Sequence, residues 1–270
     1  MPDLDYTGKR VVVTGAATGV GAALLEVLAE LGGRDVTVLD IKQPSGPHSR
    51  FLSADLSDRS AVDAAIAELG SGPVDALFNN AGVADTLPAE TVFTVNALAL
   101  RHLSTALLPQ VPAGGAIVNT ASIAGAQWPA RLQLIQELLA TEGWDAGLEW
   151  FASHDTGDST YSFTKEVVQV FTMQFSRPAA ARGVRVNSVC PSPIDTPLLP
   201  DFRKTMTDRL IDWCVQEAGG RLVTPREVAS CLAWLGSPAA SFVSGVNLNV
   251  DMGFSAASAT GQLDFASLGA

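Results

Sequence analysis

The chain has 270 residues, 47% hydrophobic and 17% charged, so it is long and apolar enough to bury a sizeable core and does not read as disordered. A formal net charge of −11 disfavours nucleic acid and anionic membrane as partners. Its three cysteines, Cys190, Cys214 and Cys231, are odd in number and lack metal-ligand spacing, no apolar run is long enough to span a bilayer, and the acidic start Met1 to Asp5 does not resemble a signal peptide; the expectation is a cytoplasmic protein with reduced thiols and no metal.

In chain order, Val11-Val12-Val13 predicts a buried strand, followed by Thr14-Gly15-Ala16-Ala17-Thr18-Gly19-Val20-Gly21 and a helix over Ala22 to Leu31 that stops at Gly32-Gly33. Strand, glycine-rich turn and helix form the context a dinucleotide site requires, with the helix N-terminus turned to the phosphates; Gly15, Thr18, Gly19, Val20 and Gly21 are its candidate contacts. A tight turn with no ligand is the competing reading. The next strand, Val36 to Leu39, ends at Asp40, placed 25 residues after Gly15. A carboxylate there hydrogen-bonds ribose hydroxyls and repels a 2′-phosphate, which favours NAD over NADP; Lys42 nearby works against that preference.

Phe51-Leu52 leads into Asp55-Leu56, and Val62 to Leu69 predicts a helix. A strand from Val74 to Phe78 runs into Asn79-Asn80-Ala81-Gly82, at the edge of a parallel sheet where ligands bind. A helix from about Thr91 to Leu108 carries Asn96, and the strand Ala116 to Thr120 leads to Ala121-Ser122. Between Gln127 and Asp158, Leu132, Ile135, Leu138 and Leu139, then Trp144, Leu148 and Phe151, fall at helical spacing, which predicts two short amphipathic helices joined near Glu142-Gly143. Asp158-Ser159 caps a long helix to about Ala181. A strand from Val184 to Val189, the segment Pro191-Ser192-Pro193-Ile194-Asp195-Thr196, a helix beginning at Pro225 and a strand from Val246 to Val250 complete the pattern. The tail from Phe254 to Ala270 is small and polar and has no evident task.

The long helix begins Tyr161-Ser162-Phe163-Thr164-Lys165. A tyrosine and a lysine four residues apart share one helix face. A phenol has a reference pKa of about 10, and an ammonium group beside it favours the phenolate. A lowering of roughly 2–3 units makes Tyr161 a usable proton donor and acceptor at cellular pH.

Taken together, the Thr14–Gly21 turn, Asp55-Leu56, Asn79 to Gly82, Asn96, Ser122, Tyr161 with Lys165, and Pro191 to Thr196 resemble the short-chain dehydrogenase/reductase family over nearly the whole chain. The resemblance implies one doubly wound α/β domain over 1–270 with a central parallel sheet. It also implies hydride transfer between NAD and an alcohol or ketone. By that resemblance Tyr161 is the general acid/base, Lys165 binds the nicotinamide ribose and lowers the tyrosine pKa, Ser122 hydrogen-bonds the substrate oxygen, and Asn96 helps hold a relay water. Asp55, Leu56, Asn80, Ala81, Gly82, Pro191, Ile194 and Thr196 join the glycine turn and Asp40 as cofactor contacts. Pro-Ser stands where relatives commonly have Pro-Gly, which puts the local backbone in question.

Two departures from the family stand out. Ser122 and Tyr161 are 39 residues apart, with an insertion over 127–158 between them, and the stretch Gly82 to Asn96 is short. Together they are similar to the bacterial 3α-hydroxysteroid dehydrogenase/carbonyl reductase subgroup and to coniferyl-alcohol dehydrogenase-like members. The insertion is expected either to cover the sheet or a partner subunit, or to line a pocket for a large apolar alcohol. Residues 197–219 resemble a substrate lid in which Leu198, Leu199, Phe202, Met206 and Trp213 are available to contact an apolar ligand, with packing alone as the competing reading of each. The implied substrate is a hydrophobic secondary alcohol or ketone, a hydroxysteroid among them, or an aryl primary alcohol of the coniferyl type; a dinucleotide-sensing or scaffold protein is the non-enzymatic alternative. Relatives are dimers or tetramers, and the insertion precedes the helix that often forms their interface.

Overall fold

The computed structural model describes residues 4–265, in which seven parallel strands form one sheet in the order β3-β2-β1-β4-β5-β6-β7. The strands are β1 (Arg10–Thr14), β2 (Asp35–Asp40), β3 (Arg50–Ser53), β4 (Ala76–Asn79), β5 (Ala116–Thr120), β6 (Arg185–Pro191) and β7 (Asn247–Val250). Parallel strands need crossover helices, and helices on both faces explain why the inner strands are apolar on both sides. The alternation of side chains shows this within β1. Val12 joins one core and Val11 and Val13 the other, all fully buried.

On one face lie α1 (Gly19–Glu30) and α10 (Pro225–Gly236), whose Leu24, Leu28, Val228 and Leu232 pack on Phe78 and Val118. On the other lie α2 (Arg59–Leu69), α4 (Ala99–Leu107) and α7 (Thr160–Ala180). The order of strands reverses between β1 and β4, and a crevice opens there at the carboxyl ends of the strands. The helix predicted from Thr91 to Leu108 is α3 (Ala89–Phe93) joined to α4 by a π turn, Thr94–Leu98, which contains Asn96. Such turns insert a residue into a helix and recur at functional sites.

The insertion forms α5 (Leu132–Leu139) and α6 (Gly143–Ser153), as its periodicity predicts. The proposal that it lines a substrate pocket is corrected by where its apolar faces go. Phe151 stacks on Phe93 at 4.2 Å, Trp150 lies parallel to Phe163 at 6.2 Å, and Ile135, Leu138 and Trp144 are buried in the same cluster. No side chain from 127–158 reaches the crevice, because both faces are consumed against α3, α4 and α7. A partly buried ion pair adds to the attachment: Arg131 donates to Glu166 on α7 at 2.7 Å and also to the Thr156 carbonyl.

Two short helices follow β6, α8 (Leu199–Met206) and α9 (Asp208–Glu217), and the chain then forms α11 (Phe254–Ala259). The first part of the tail has packing that its composition hides: Trp213 of α9 lies against Phe254 at 5.5 Å and Phe265 at 5.1 Å. Met1 to Asp3 and residues 266–270 of the tail lie outside the described residues. Among the described residues no helix is long and apolar enough to cross a membrane, and no cluster of side chains could hold a metal ion.

Candidate active site

The crevice at the β1/β4 reversal is a cleft of about 950 Å³. Its first end is shaped by glycines. At Gly15 φ is +69°, and a Cβ would stand 2.4 Å from the Ala81 Cα; a Cβ on Gly21 would stand 2.1 Å from the Gly15 carbonyl oxygen. Only hydrogen fits at either position, so the turn is drawn down against the end of β4. Asn80 fixes it there by donating from Nδ2 to the Gly15 carbonyl at 2.8 Å, while the Thr14 hydroxyl accepts from the Asn80 and Ala81 N–H groups.

Thr18 precedes α1 and makes no side-chain cap, so the first-turn N–H groups keep their donor capacity toward the cleft. Asp40 ends β2 beside them, accepting from Ala17 N–H at 2.9 Å and Lys42 N–H at 3.0 Å. Two backbone donors hold that carboxylate at the rim. Asp55 forms its own turn with Ser57 and, with Leu56, lines the same end. A glycine cradle, an uncapped helix start and a positioned carboxylate fit the pyrophosphate and ribose of a dinucleotide.

Gly15, Thr18, Gly19, Val20, Asp40, Asp55, Leu56, Asn80, Ala81, Gly82, Ser122, Tyr161, Lys165, Pro191, Ile194 and Thr196 all line this one cleft. Two expected residues stand behind it. Gly21 acts through its close approach to Gly15. The Asn96 side chain is committed to the protein, accepting from Val83 N–H at 2.8 Å and donating to the Val83 carbonyl at 3.0 Å. The amide is a strut for the β4–α3 loop, and it does not line the cleft. The Pro191-Ser192 departure leaves the backbone ordinary: Ser192 is buried, donates its N–H to Val250 and has no positive φ.

In the middle of the cleft, α7 presents Tyr161 and Lys165, and Ser122 follows β5. Lys165 donates from Nζ to the Thr120 carbonyl at 2.8 Å and lies 5.5 Å from the centre of the tyrosine ring. Burial works against the expected lowering of the tyrosine pKa. Burial pushes the phenol up to about 12; the Ser122 hydroxyl pulls it back, and Asp85 and Cys190 add to the rise. Burial also pulls Lys165 down to about 8. Desolvation is the largest influence on both groups. Cys190, beneath the site, is pushed up to about 11 by burial and stays a thiol.

The far end is apolar. Leu198, Leu199, Phe202 and Met206 line it, and the Phe202 ring lies 4.7 Å from that of Tyr161. Trp213, expected to be available to the ligand, is turned outward to Phe254 and Phe265, and Phe254 lines the cleft in its place. Sequence reasoning also missed Asp85. Its carboxylate accepts from Tyr161 N–H at 2.7 Å and from the Ser159 hydroxyl at 2.8 Å. No local signal marks that contact, because it joins residues 76 apart.

Comparison with known proteins bears on the family and the fold. Residues 9–133 match a family model described as short chain dehydrogenase, and residues 152–255 match one described as enoyl-(acyl carrier protein) reductase. The chain is 34% identical to a coniferyl-alcohol dehydrogenase of Pseudomonas sp. (strain HR199 / DSM 7063), covering 93% of this chain and 98% of that protein. It is 35% identical to a cis-4-hydroxycyclohexanecarboxylate dehydrogenase of Sinomonas cyclohexanicum, with the same coverage. Among solved structures it is similar to the 3-alpha-hydroxysteroid dehydrogenase from Pseudomonas sp. B-0831 complexed with NADH, at a TM-score of 0.78 and 30% identity over 95% of this chain and 100% of that one.

Proposed function

The chain belongs to the short-chain dehydrogenase/reductase family, and from that premise we propose that it is an NAD-dependent oxidoreductase interconverting an uncharged hydrophobic secondary alcohol and its ketone, with hydroxysteroids as the leading class. One observation carries the reading: Ser122, Tyr161 and Lys165 meet between a dinucleotide cradle and an apolar end built from Leu198, Leu199, Phe202 and Met206. The only cations among the described lining residues are Lys165, at the reacting position, and Lys42, beside Asp40 at the cradle end. A carboxylate at the apolar end would therefore be desolvated without a partner, at a cost of several kcal/mol.

Gly15, Gly19, Asp40 and Thr196 would hold the cofactor, which supplies the hydride acceptor when bound. The chain's own residues then do the acid–base work. Ser122 donates to the substrate oxygen and orients it. Tyr161 takes the hydroxyl proton in oxidation and returns it in reduction, and Lys165 stabilises the phenolate. The apolar end excludes water from that exchange. Asp40 favours NAD by repelling a 2′-phosphate. Replacing Asp40 with alanine is expected to weaken NAD at least about tenfold and NADP far less, as read by titration of cofactor fluorescence. An unchanged preference would remove Asp40 from the site.

A second reading has a specific observation behind it. The 34% identity to a coniferyl-alcohol dehydrogenase favours an aryl primary alcohol, which the ring of Phe202 beside Tyr161 would also suit. Comparing kcat/KM for a 3α-hydroxysteroid and for coniferyl alcohol with NAD separates the two. A ratio favouring the aryl alcohol by more than about tenfold would replace the first reading with the second. We further propose a homo-oligomer, dimer or tetramer, in which the insertion covers parts of α4 and α7 that would otherwise be open to a partner.

A further inference from the structure

The start of α7 carries Tyr161, yet its cap is not completed locally. Ser159 is the N-cap and its hydroxyl oxygen accepts from Ser162 N–H at 3.1 Å. In a capping box the third helical residue returns a carboxylate or amide to the cap, but here that residue is Ser162, which is too short to do so. The Tyr161 N–H is one of the orphan donors of a helix start and needs an acceptor. The Tyr161 N–H is met from outside the helix, and the Ser159 hydroxyl finds its own acceptor on the same group. Asp85 in the β4–α3 loop takes the Tyr161 N–H with Oδ1 at 2.7 Å and the Ser159 hydroxyl with Oδ2 at 2.8 Å. The loop is itself braced two residues earlier, where Asn96 bonds the Val83 backbone in both directions.

We propose that Asp85 is a positioning residue for the reaction: its carboxylate fixes the helix turn that presents Tyr161 and ties that turn, through the Asn96-braced loop, to the end of β4 where the cofactor cradle stands. The inference rests on the dehydrogenase reading given above.

The carboxylate has a second consequence. A negative charge at a helix N-terminus is favourable for the helix, but near a phenol it opposes ionisation. The groups facing the Tyr161 phenol are Ser122 after β5, Lys165 one turn on along α7, Cys190 from β6 and Asp85 from the loop; Phe202 of α8 covers its ring. Among them Asp85 is the carboxylate, and it acts against the cation of Lys165. Taking away its charge should therefore ease loss of the phenolic proton, and the acid limb of alcohol oxidation should move to lower pH.

Two variants separate position from charge. Asp85→Asn keeps an acceptor for Tyr161 N–H and a polar partner for Ser159 but removes the charge. Asp85→Ala removes both. For Asp85→Asn, kcat is expected to stay within about threefold while the midpoint of the acid limb falls by about half a pH unit or more. For Asp85→Ala, kcat is expected to fall at least about tenfold, with the KM for NAD changed less than about twofold, since the cofactor contacts lie elsewhere. A purely structural cap would lower stability but leave the pH midpoint of Asp85→Asn where it was.

The readout independent of turnover is carbon NMR of tyrosine labelled at Cζ. The chain has only two tyrosines, Tyr6 and Tyr161, and burial drives Tyr6 far above the usual phenol range. As pH is raised toward 12, where burial holds the Tyr161 phenol, its ionised fraction at a given pH should be higher in Asp85→Asn than in the parent. An equal fraction, or an Asp85→Ala variant with parental kcat, overturns the inference. If the parent oxidises no alcohol, the dehydrogenase reading fails by itself, and the NMR comparison still judges Asp85.

Discussion

Replacing Tyr161 with phenylalanine is expected to lower kcat/KM for alcohol oxidation by about a thousandfold while NAD affinity stays within about twofold. The ring stays, so its contacts with Phe202 and the Lys165 ammonium stay; only the hydroxyl near Ser122 is lost. The loss of one such hydrogen-bonding group costs about 1 kcal/mol of stability, too little to confuse with unfolding. The parent enzyme's pH dependence follows from the same residue. Burial holds the phenol up at about 12, and the base form is the one that accepts a proton. Oxidation should accelerate as pH rises, and reduction, which needs the protonated phenol, should slow. Initial rates in both directions across pH read this directly, and a Phe variant that keeps the parental profile would dismiss Tyr161 as the acid–base group.

The second large effect concerns stability, at the junction of the insertion and α7. Glu166 is 1% exposed, its Oε1 takes the Arg131 guanidinium at 2.7 Å, and its Oε2 has no hydrogen-bond partner among the described residues. Removing Arg131 leaves the buried Glu166 carboxylate uncompensated. Arg131→Met should cost about 3 kcal/mol, and changing both residues, Arg131→Met with Glu166→Leu, should restore most of that loss. In a chain of this size the single variant corresponds to a Tm lower by roughly 6 °C or more. The sign of its pH dependence is fixed. Burial raises the Glu166 pKa and Arg131 opposes the rise, so without Arg131 the folded carboxyl binds its proton more tightly than the unfolded one. The folded state then gains from protonation as pH falls, and the deficit of Arg131→Met should shrink toward acid pH. Thermal melts at two pH values test this; a deficit that grows toward acid would contradict the account.

Much of the site can be read from the chain itself. The glycine turn, Asp40 at a strand end, the Asn79 to Gly82 edge and the Tyr161/Lys165 pair are local patterns, and the parallel sheet gathers them at one crevice. What escaped depends on contacts between distant segments or on depth. Periodicity marks α5 and α6 as amphipathic but does not say what their faces meet, and Phe93 and Phe163 take those faces away from the cleft. The spacing of Tyr161 and Lys165 promises a pairing, whereas burial, which spacing cannot report, dominates both pKa values. Trp213 lies in the segment that resembles a lid and meets Phe254 and Phe265, residues of a tail that looked featureless. Asn96 is expected to help hold a relay water, whereas its amide is spent on Val83, a contact that its place in the chain does not announce.

The most direct test of the central claim is NADH formation, followed by absorbance, from NAD and a panel of alcohols: 3α- and other hydroxysteroids, simple cyclic secondary alcohols, aryl primary alcohols and cis-4-hydroxycyclohexanecarboxylate, with Tyr161→Phe run beside the parent. The account predicts a clear rate on an uncharged hydrophobic alcohol, a much weaker one on the carboxylate, and loss of both in the variant. A preference for the carboxylate, rates retained in Tyr161→Phe, or silence across the panel from a protein that binds NAD would contradict it.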